Sequence, residues 1–271
     1  MADEVRRYLR QQVELGGAEI LRSGRPQVSG DAAHAVGDDG SDVIEEAVMA
    51  PRAMPVEGGA GKWRKGAPAV PGPGLTALPG IVPAELAEMS TLEAVAQRIR
   101  STHCCETLCP LRTNAVPGEG NPKARLMLVG EGPGQKEDET GRPFVGAAGN
   151  LLNSILEAID LPRESVFIAN IVKCRPPGNR KPLPHEVGSC IPYLWRQIEL
   201  IRPKVIVTLG GTAAEALLGV RKSLGELRNK VHSYGGIPVV VTYHPAALLR
   251  NPNWKKPTWD DVRIARQLID A

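Results

Sequence analysis

The sequence predicts a three-layer α/β/α domain with a central, mainly parallel four-stranded sheet, preceded by a long amino-terminal extension with no core of its own. Three observations lead there. Four short runs in the carboxyl-terminal part are apolar throughout, as strands covered on both faces must be. Segments of helical period separate those runs, which is the pattern of a parallel sheet with helices on both sides. The chain has 29 Gly and 24 Pro among 271 residues, and 13 of those Gly and 8 of those Pro fall in the first hundred positions. That part reads as burying too little apolar surface to offset its ordering entropy.

In order along the chain, residues 3–22 wind as a helix with Val5, Leu9, Val13 and Leu15 towards one side, weakened at its end by Gly16 and Gly17. Residues 23–88 are rich in Gly, Pro, Ala and acidic side chains and are expected to be a disordered linker, with Trp63 a solitary aromatic within it. Residues 89–271 are expected to form the folded domain. It opens with STLEAVAQRIRSTH, where Ser90 reads as a cap, Glu93 completes a capping box, and Leu92, Val95, Ala96 and Ile99 recur at helical spacing. Strands follow over 126–129, 166–169, 205–209 and 239–243. Helices are expected over 147–159, 185–201, 212–218 and 258–268. In such a sheet the working residues gather beyond the carboxyl ends of the strands. Here those ends run into Gly130-Glu131-Gly132-Pro133-Gly134, Asn170, Gly210-Gly211 and His244-Pro245.

Composition narrows the function class. Residues 1–100 carry 11 Lys and Arg against 14 Asp and Glu, whereas residues 101–271 carry 22 against 16, so the folded part is the basic one. A basic domain suits a polyanionic partner. No apolar run approaches the ~18 residues of a membrane helix, and MADEVRRYLRQQ lacks a signal-peptide core. The expected setting is the cytoplasm, with no membrane partner and a monomeric chain. Five cysteines, all between 104 and 190, argue against a secreted disulfide framework. Cys104, Cys105 and Cys109 precede the first strand, Cys174 follows the second, and Cys190 lies in a helix. Four thiolates drawn from two segments suit an iron-sulfur cluster or a structural zinc, and spacing alone does not choose between them.

The GEGPG loop reads as a ligand cradle, although it has neither dinucleotide-fingerprint spacing nor a P-loop Lys-Ser/Thr pair. Glu131, Glu137, Asp138 and Glu139 follow closely. Phe144 sits between Pro and Gly turns and reads as an exposed stacking platform, while Phe167 reads as core.

The runs GEGPGQKEDETGRPFVG, NIVKCRPPGNRKPLP and HPAALLRNP, in that order and with the cysteine pattern, resemble the three motif regions of the family 4, iron-sulfur type, uracil-DNA glycosylases. The similarity covers about 105–268 and none of the first hundred residues. It implies the fold of that superfamily and an enzyme of base excision repair, which hydrolyses the N-glycosidic bond of uracil in single- or double-stranded DNA and leaves an abasic site. By the resemblance, Phe144 stacks on the flipped base and the Asn170 amide reads its edge. His244 donates to uracil O2 as charge develops, and the loop of Gly132 and Pro133 contacts the base and excludes the methyl group of thymine. Other glycosylase families place an aspartate where this sequence has Gly132. Glu131 therefore leads as the carboxylate that orients water, with Glu137 the alternative. Leu248 or Leu249 would wedge into the duplex, and Arg250, Lys255 and Lys256 would meet phosphates. A structural four-iron four-sulfur cluster would be held by Cys105, Cys109, Cys174 and Cys190. The family spaces its first pair by two residues, whereas here Cys105 leaves three and Cys104 four, so Cys104 stays the alternative. His103, His185 and His232 are assigned to the surface. The other reading is a uracil-DNA binding or crosslinking iron-sulfur protein without turnover. A short loop with Asn179 where related crosslinking proteins carry a histidine favours turnover.

Overall fold

A computed structural model of the chain describes residues 61–102 and 105–271. Its elements are β1 (Pro73–Ala77), α1 (Ala84–Ala87), α2 (Leu92–Ser101), β2 (Glu119–Gly120), β3 (Leu126–Gly130), α3 (Gln135–Thr140), α4 (Ala147–Ala158) and β4 (Phe167–Asn170). There follow α5 (Pro184–Ile201), β5 (Val205–Leu209), α6 (Gly211–Leu218), α7 (Leu224–Leu227), β6 (Val231–Tyr234), β7 (Ile237–Thr242), α8 (Pro245–Arg250) and α9 (Lys255–Asp270). No helix among the described residues is long and apolar enough to cross a membrane.

The four apolar runs form the centre of the sheet, where β7, β5, β3 and β4 lie side by side and parallel. Their side chains alternate between two cores. Met127, Val129, Ile206 and Val241 pack with Leu194 and Ile198 of α5 and Ala213 and Leu217 of α6. Leu126, Leu128, Val207 and Val240 pack with Leu152 and Leu156 of α4 and Val262 and Ile269 of α9. Because both faces are covered, the period of two vanishes from the sequence and leaves uniformly apolar runs.

The sheet has seven strands rather than the expected four, in the order β1-β6-β7-β5-β3-β4-β2. β2 is a two-residue antiparallel edge on β4, too short to leave a pattern. β6 runs antiparallel to β7 and carries His232 and Ser233 inside it. His232 is buried, not on the surface: its Nδ1 accepts from the Leu75 N–H at 2.9 Å and its Nε2 faces the Leu227 carbonyl at 2.6 Å. A polar strand residue with both ring nitrogens occupied sits in a sheet without penalty, and that pairing is invisible in sequence.

β1 lies inside the segment expected to be a linker and pairs parallel with β6, so the linker reading is corrected over 61–88. The apolar groups there are few but placed. Trp63 is 3% exposed and joins the α4/α9 core, with the guanidinium groups of Arg64 and Arg266 over its ring. Leu86 packs with Val95, Ile99 and Tyr193. Gly74, which reads as flexibility, is a close approach: a Cβ there would lie 2.5 Å from the His232 ring. The helix expected over 3–22, the linker over 23–60, His103 and Cys104 lie outside the described residues. The cap of α2 is Thr91 rather than Ser90, with its hydroxyl accepting from the Ala94 N–H at 3.1 Å, and Glu93 pairs with Arg100 instead of closing a capping box.

A chain begun at Thr91 therefore loses β1, Trp63 and Leu86. It is expected to melt well below one begun at Gly61, since removing one buried Trp alone costs about 3–5 kcal/mol. Equal melting temperatures would mean that the segment adds nothing to the domain.

Candidate active site

The sheet brings the strand ends together. Gly130, the last residue of β3, lies in register with Asn170, the last of β4. A Cβ at position 130 would stand 2.4 Å from Asn170 Oδ1 and 2.7 Å from the Phe144 ring, so the backbone here is the floor of a nook that only glycine leaves open. Asn170 is 1% exposed, and its Oδ1 has no hydrogen-bond partner among the described residues. An unpaired buried amide oxygen costs about 1–3 kcal/mol, a cost that a ligand with a matching donor would remove.

Phe144 forms the wall of this nook. At 5% exposure it is not the exposed platform expected: its ring lies against Gly130 and Asn170, with the His244 ring centroid 5.4 Å away and tilted by 31°. It takes this place through a left-handed backbone, φ 51°, a strained conformation for a bulky residue that its surroundings must enforce. Glu137 holds the residues that follow, its carboxylate accepting from Val145 N at 2.8 Å and Gly146 N at 3.0 Å as well as from Gly134 N at 3.1 Å. Arg163 holds the carbonyls of Pro143 and Phe144 and is itself paired with Glu119. Gly149 lets the Phe144 carbonyl approach α4, where any side chain would clash. Arg163, Glu119 and Gly149 escaped the sequence reading because only folding brings them to the loop. Glu137 was noticed there, but as an alternative base. Three amide hydrogen bonds commit it to the loop, and it drops from that role.

His244 caps α8, its Nδ1 accepting from the Ala246 N–H at 3.1 Å. This leaves the proton of the neutral ring on Nε2, so Nε2 is a donor. Burial first, and the Arg250 guanidinium second, push the imidazole down to about 4. It is neutral at physiological pH. Glu131 follows Gly130 and is half-buried, and its carboxylate has no hydrogen bond or ion pair among the described residues. Gly132 packs against Val172 and Pro176, and Pro133 is buried beside it.

On α8 the helical phase separates the two leucines. Leu248 is 1% exposed and packs inward, so it cannot be the wedge; Leu249 is 47% exposed, beside exposed Arg250. Lys255 and Lys256 are exposed at the start of α9.

Cys105, Cys109, Cys174 and Cys190 are all buried and part of the core between the sheet and α5. Cys109 and Cys174 sulfurs stand 3.6 Å apart, and the Cys105 N–H donates to Cys109 Sγ at 3.4 Å. Arg112 donates to the sulfurs of Cys109 and Cys174 at 3.6 and 3.3 Å while holding the carbonyls that end α2. Burial pushes the Cys174 thiol up to about 12 against the pull of Arg112. Among the described residues no three His, Cys, Asp or Glu are grouped so as to hold one metal ion. The alternative first ligand, Cys104, lies outside them.

Comparison with known proteins bears on this arrangement. Residues 117–265 match the family described as the Uracil DNA glycosylase superfamily. The chain is 47% identical over 189 residues to the type-4 uracil-DNA glycosylase of Sulfurisphaera tokodaii, an alignment covering 66% of this chain and 86% of that protein. It is 45% identical over 185 residues to that of Thermotoga maritima, covering 66% and 94%. A type-5 uracil-DNA glycosylase of Thermus thermophilus is 37% identical over 157 residues, covering 50% of this chain and 70% of that protein. With a superfamily match across more than half its length, and type-4 relatives spanned almost whole, this chain belongs to the type-4 uracil-DNA glycosylases.

Proposed function

We propose that this chain, a hydrolase that releases uracil from DNA, divides the reaction among Asn170 for reading the base, Phe144 for holding it, His244 for the leaving charge and Glu131 for the water. The observation that carries the reading is the buried Asn170 amide, whose Oδ1 is unpaired beside the Phe144 wall and a neutral His244. A base inside a duplex is out of reach, so uracil must be flipped into the nook. Uracil presents an N3–H beside the O4 carbonyl; Asn170 Oδ1 accepts the first and its amide nitrogen donates to the second. Cytosine inverts that pattern and leaves buried groups mispaired. As the bond between N1 and C1′ breaks, its electron pair departs with uracil, and the Nε2–H of His244 donates to O2 as negative charge grows there. Water adds at C1′, oriented by the free carboxylate of Glu131 and giving up a proton towards it. Leu249 fills the space the nucleotide leaves, and Arg250, Lys255 and Lys256 meet phosphates.

The donor set suits a four-iron four-sulfur cluster held by Cys105, Cys109, Cys174 and Cys190: all four are sulfur ligands and buried, and Arg112 supplies a positive charge beside two of them. When bound, such a cluster would tie the segment before β3 to the turn after β4 and to α5, a cross-link rather than a reactant. A reducing cytoplasm, where thiols stay reduced, is the setting that suits these ligands.

One experiment tests both parts. Anaerobically purified protein should hold about four irons per chain and release free uracil from a labelled oligonucleotide, with no covalent adduct on a denaturing gel. Bound zinc without iron would sink the cluster, and an adduct without released uracil would favour trapping over turnover.

A further inference from the structure

We propose that Trp254 is a stacking subsite for an unpaired base of the uracil-bearing strand, next to the flipped nucleotide. Tyr243 immediately precedes His244, and the Trp254 ring lies flat on it, with centroids 4.8 Å apart and planes within 7°. The support is rigid. Arg228 lies over the Tyr243 ring at 4.5 Å and is pinned by both carboxylate oxygens of Asp261, which also accepts from the Thr242 hydroxyl at 2.6 Å. The backbone of Trp254 is fixed as well, its N–H donating to the Asn251 carbonyl and its own carbonyl accepting from the Thr258 hydroxyl.

A large aromatic held this firmly and still 37% exposed has surface to offer. Its neighbours say to what. Arg250, four residues before it, and Lys255 and Lys256, directly after it, are exposed, and among the described residues Lys256 has only a long, exposed contact of 3.7 Å with Asp260. An aromatic plane flanked by cations is the chemistry that binds single-stranded nucleic acid, bases on the ring and phosphates on the charges. Flipping one nucleotide unstacks its neighbours and leaves a base with a bare face, and Tyr243, next in the chain to His244, carries the Trp254 plane. The inference rests on His244 marking the uracil pocket, and it adds a preference for strands whose neighbouring base is unpaired.

The test is a binding cycle on the full-length chain as purified, at fixed salt. The probes are single-stranded oligonucleotides with a non-hydrolysable uridine, each neighbouring base present or replaced by an abasic spacer. Removing one neighbouring base is expected to weaken wild-type binding by about 5- to 150-fold, the range of one base–aromatic stack. Trp254→Ala should bind the intact strand about that much more weakly and lose nothing further when the base is removed. Trp254→Phe, which keeps a stacking plane, should retain most of the affinity and the sensitivity to the missing base. Equal losses in wild type and Trp254→Ala would overturn the proposal, as would a Phe variant as weak as the Ala variant. Failure of wild type to prefer a uridine strand over a thymidine strand would instead refute the pocket itself.

Discussion

Asn170→Asp is expected to lower single-turnover uracil release by about 10³- to 10⁴-fold, approaching the discrimination of a pocket left mispaired against a polar edge. The side chain is almost the same size, so the nook keeps its shape and only its hydrogen-bond pattern changes. A carboxylate facing uracil O4 repels it, where the amide donated. If the new acid is protonated or turned, it can instead accept from the exocyclic amine of cytosine, and slow release of cytosine is the accompanying outcome to score. Asn170 Oδ1 has no partner among the described residues, so none of them bonded to that oxygen holds the side chain in an alternative pose. Retention of uracil release within tenfold would show that the base is read elsewhere.

His244→Ala should fail differently. His244 donates mainly as charge develops, so its loss should slow single-turnover cleavage by about 10²- to 10³-fold while binding to uracil-DNA stays within a few-fold. The wild-type rate carries a matching pH signature. With the imidazole held down to about 4 by burial, its neutral form persists through the range where an ordinary histidine titrates, and no step belonging to this residue is expected between pH 5 and 8. Acidification has a second effect. The unfolded chain takes up a proton on this histidine near its ordinary value of 6.5, whereas the folded chain does so only near 4. Stability from this group is therefore lost as pH falls between those values, and the Ala variant lacks that loss. Binding that weakens as much as cleavage slows would make His244 a ground-state contact and move the chemistry to the Glu131 loop.

Some of this was legible in the sequence for physical reasons. The central strands could be read because β3, β4, β5 and β7 are apolar on both faces, and Gly130, Asn170 and His244 then follow from where strands end. β1 and β6 could not, because each is held by the other: a glycine lies against a histidine ring, and the histidine takes its partners from a distant strand and a helix end. Phe144 was recognised but turned outwards, since the enforcing contacts come from Glu137 and Arg163 and a left-handed turn at Phe has no local signal. Leu248 and Leu249 were indistinguishable until the cap at His244 set the phase of α8.

The pairing of β1 with β6 also orders events in time. Pro73 and Val231 are 158 positions apart in the sequence, yet they are partners. On the ribosome β1 emerges first and has nothing to pair with until β6 has been made. Long-range and parallel pairings are the slow ones to form, so β1 should be docked last, sealing the otherwise open sheet edge of β6. An interrupted chain ending before β6 would carry two unprotected edges, and in such a chain aggregation would compete with folding.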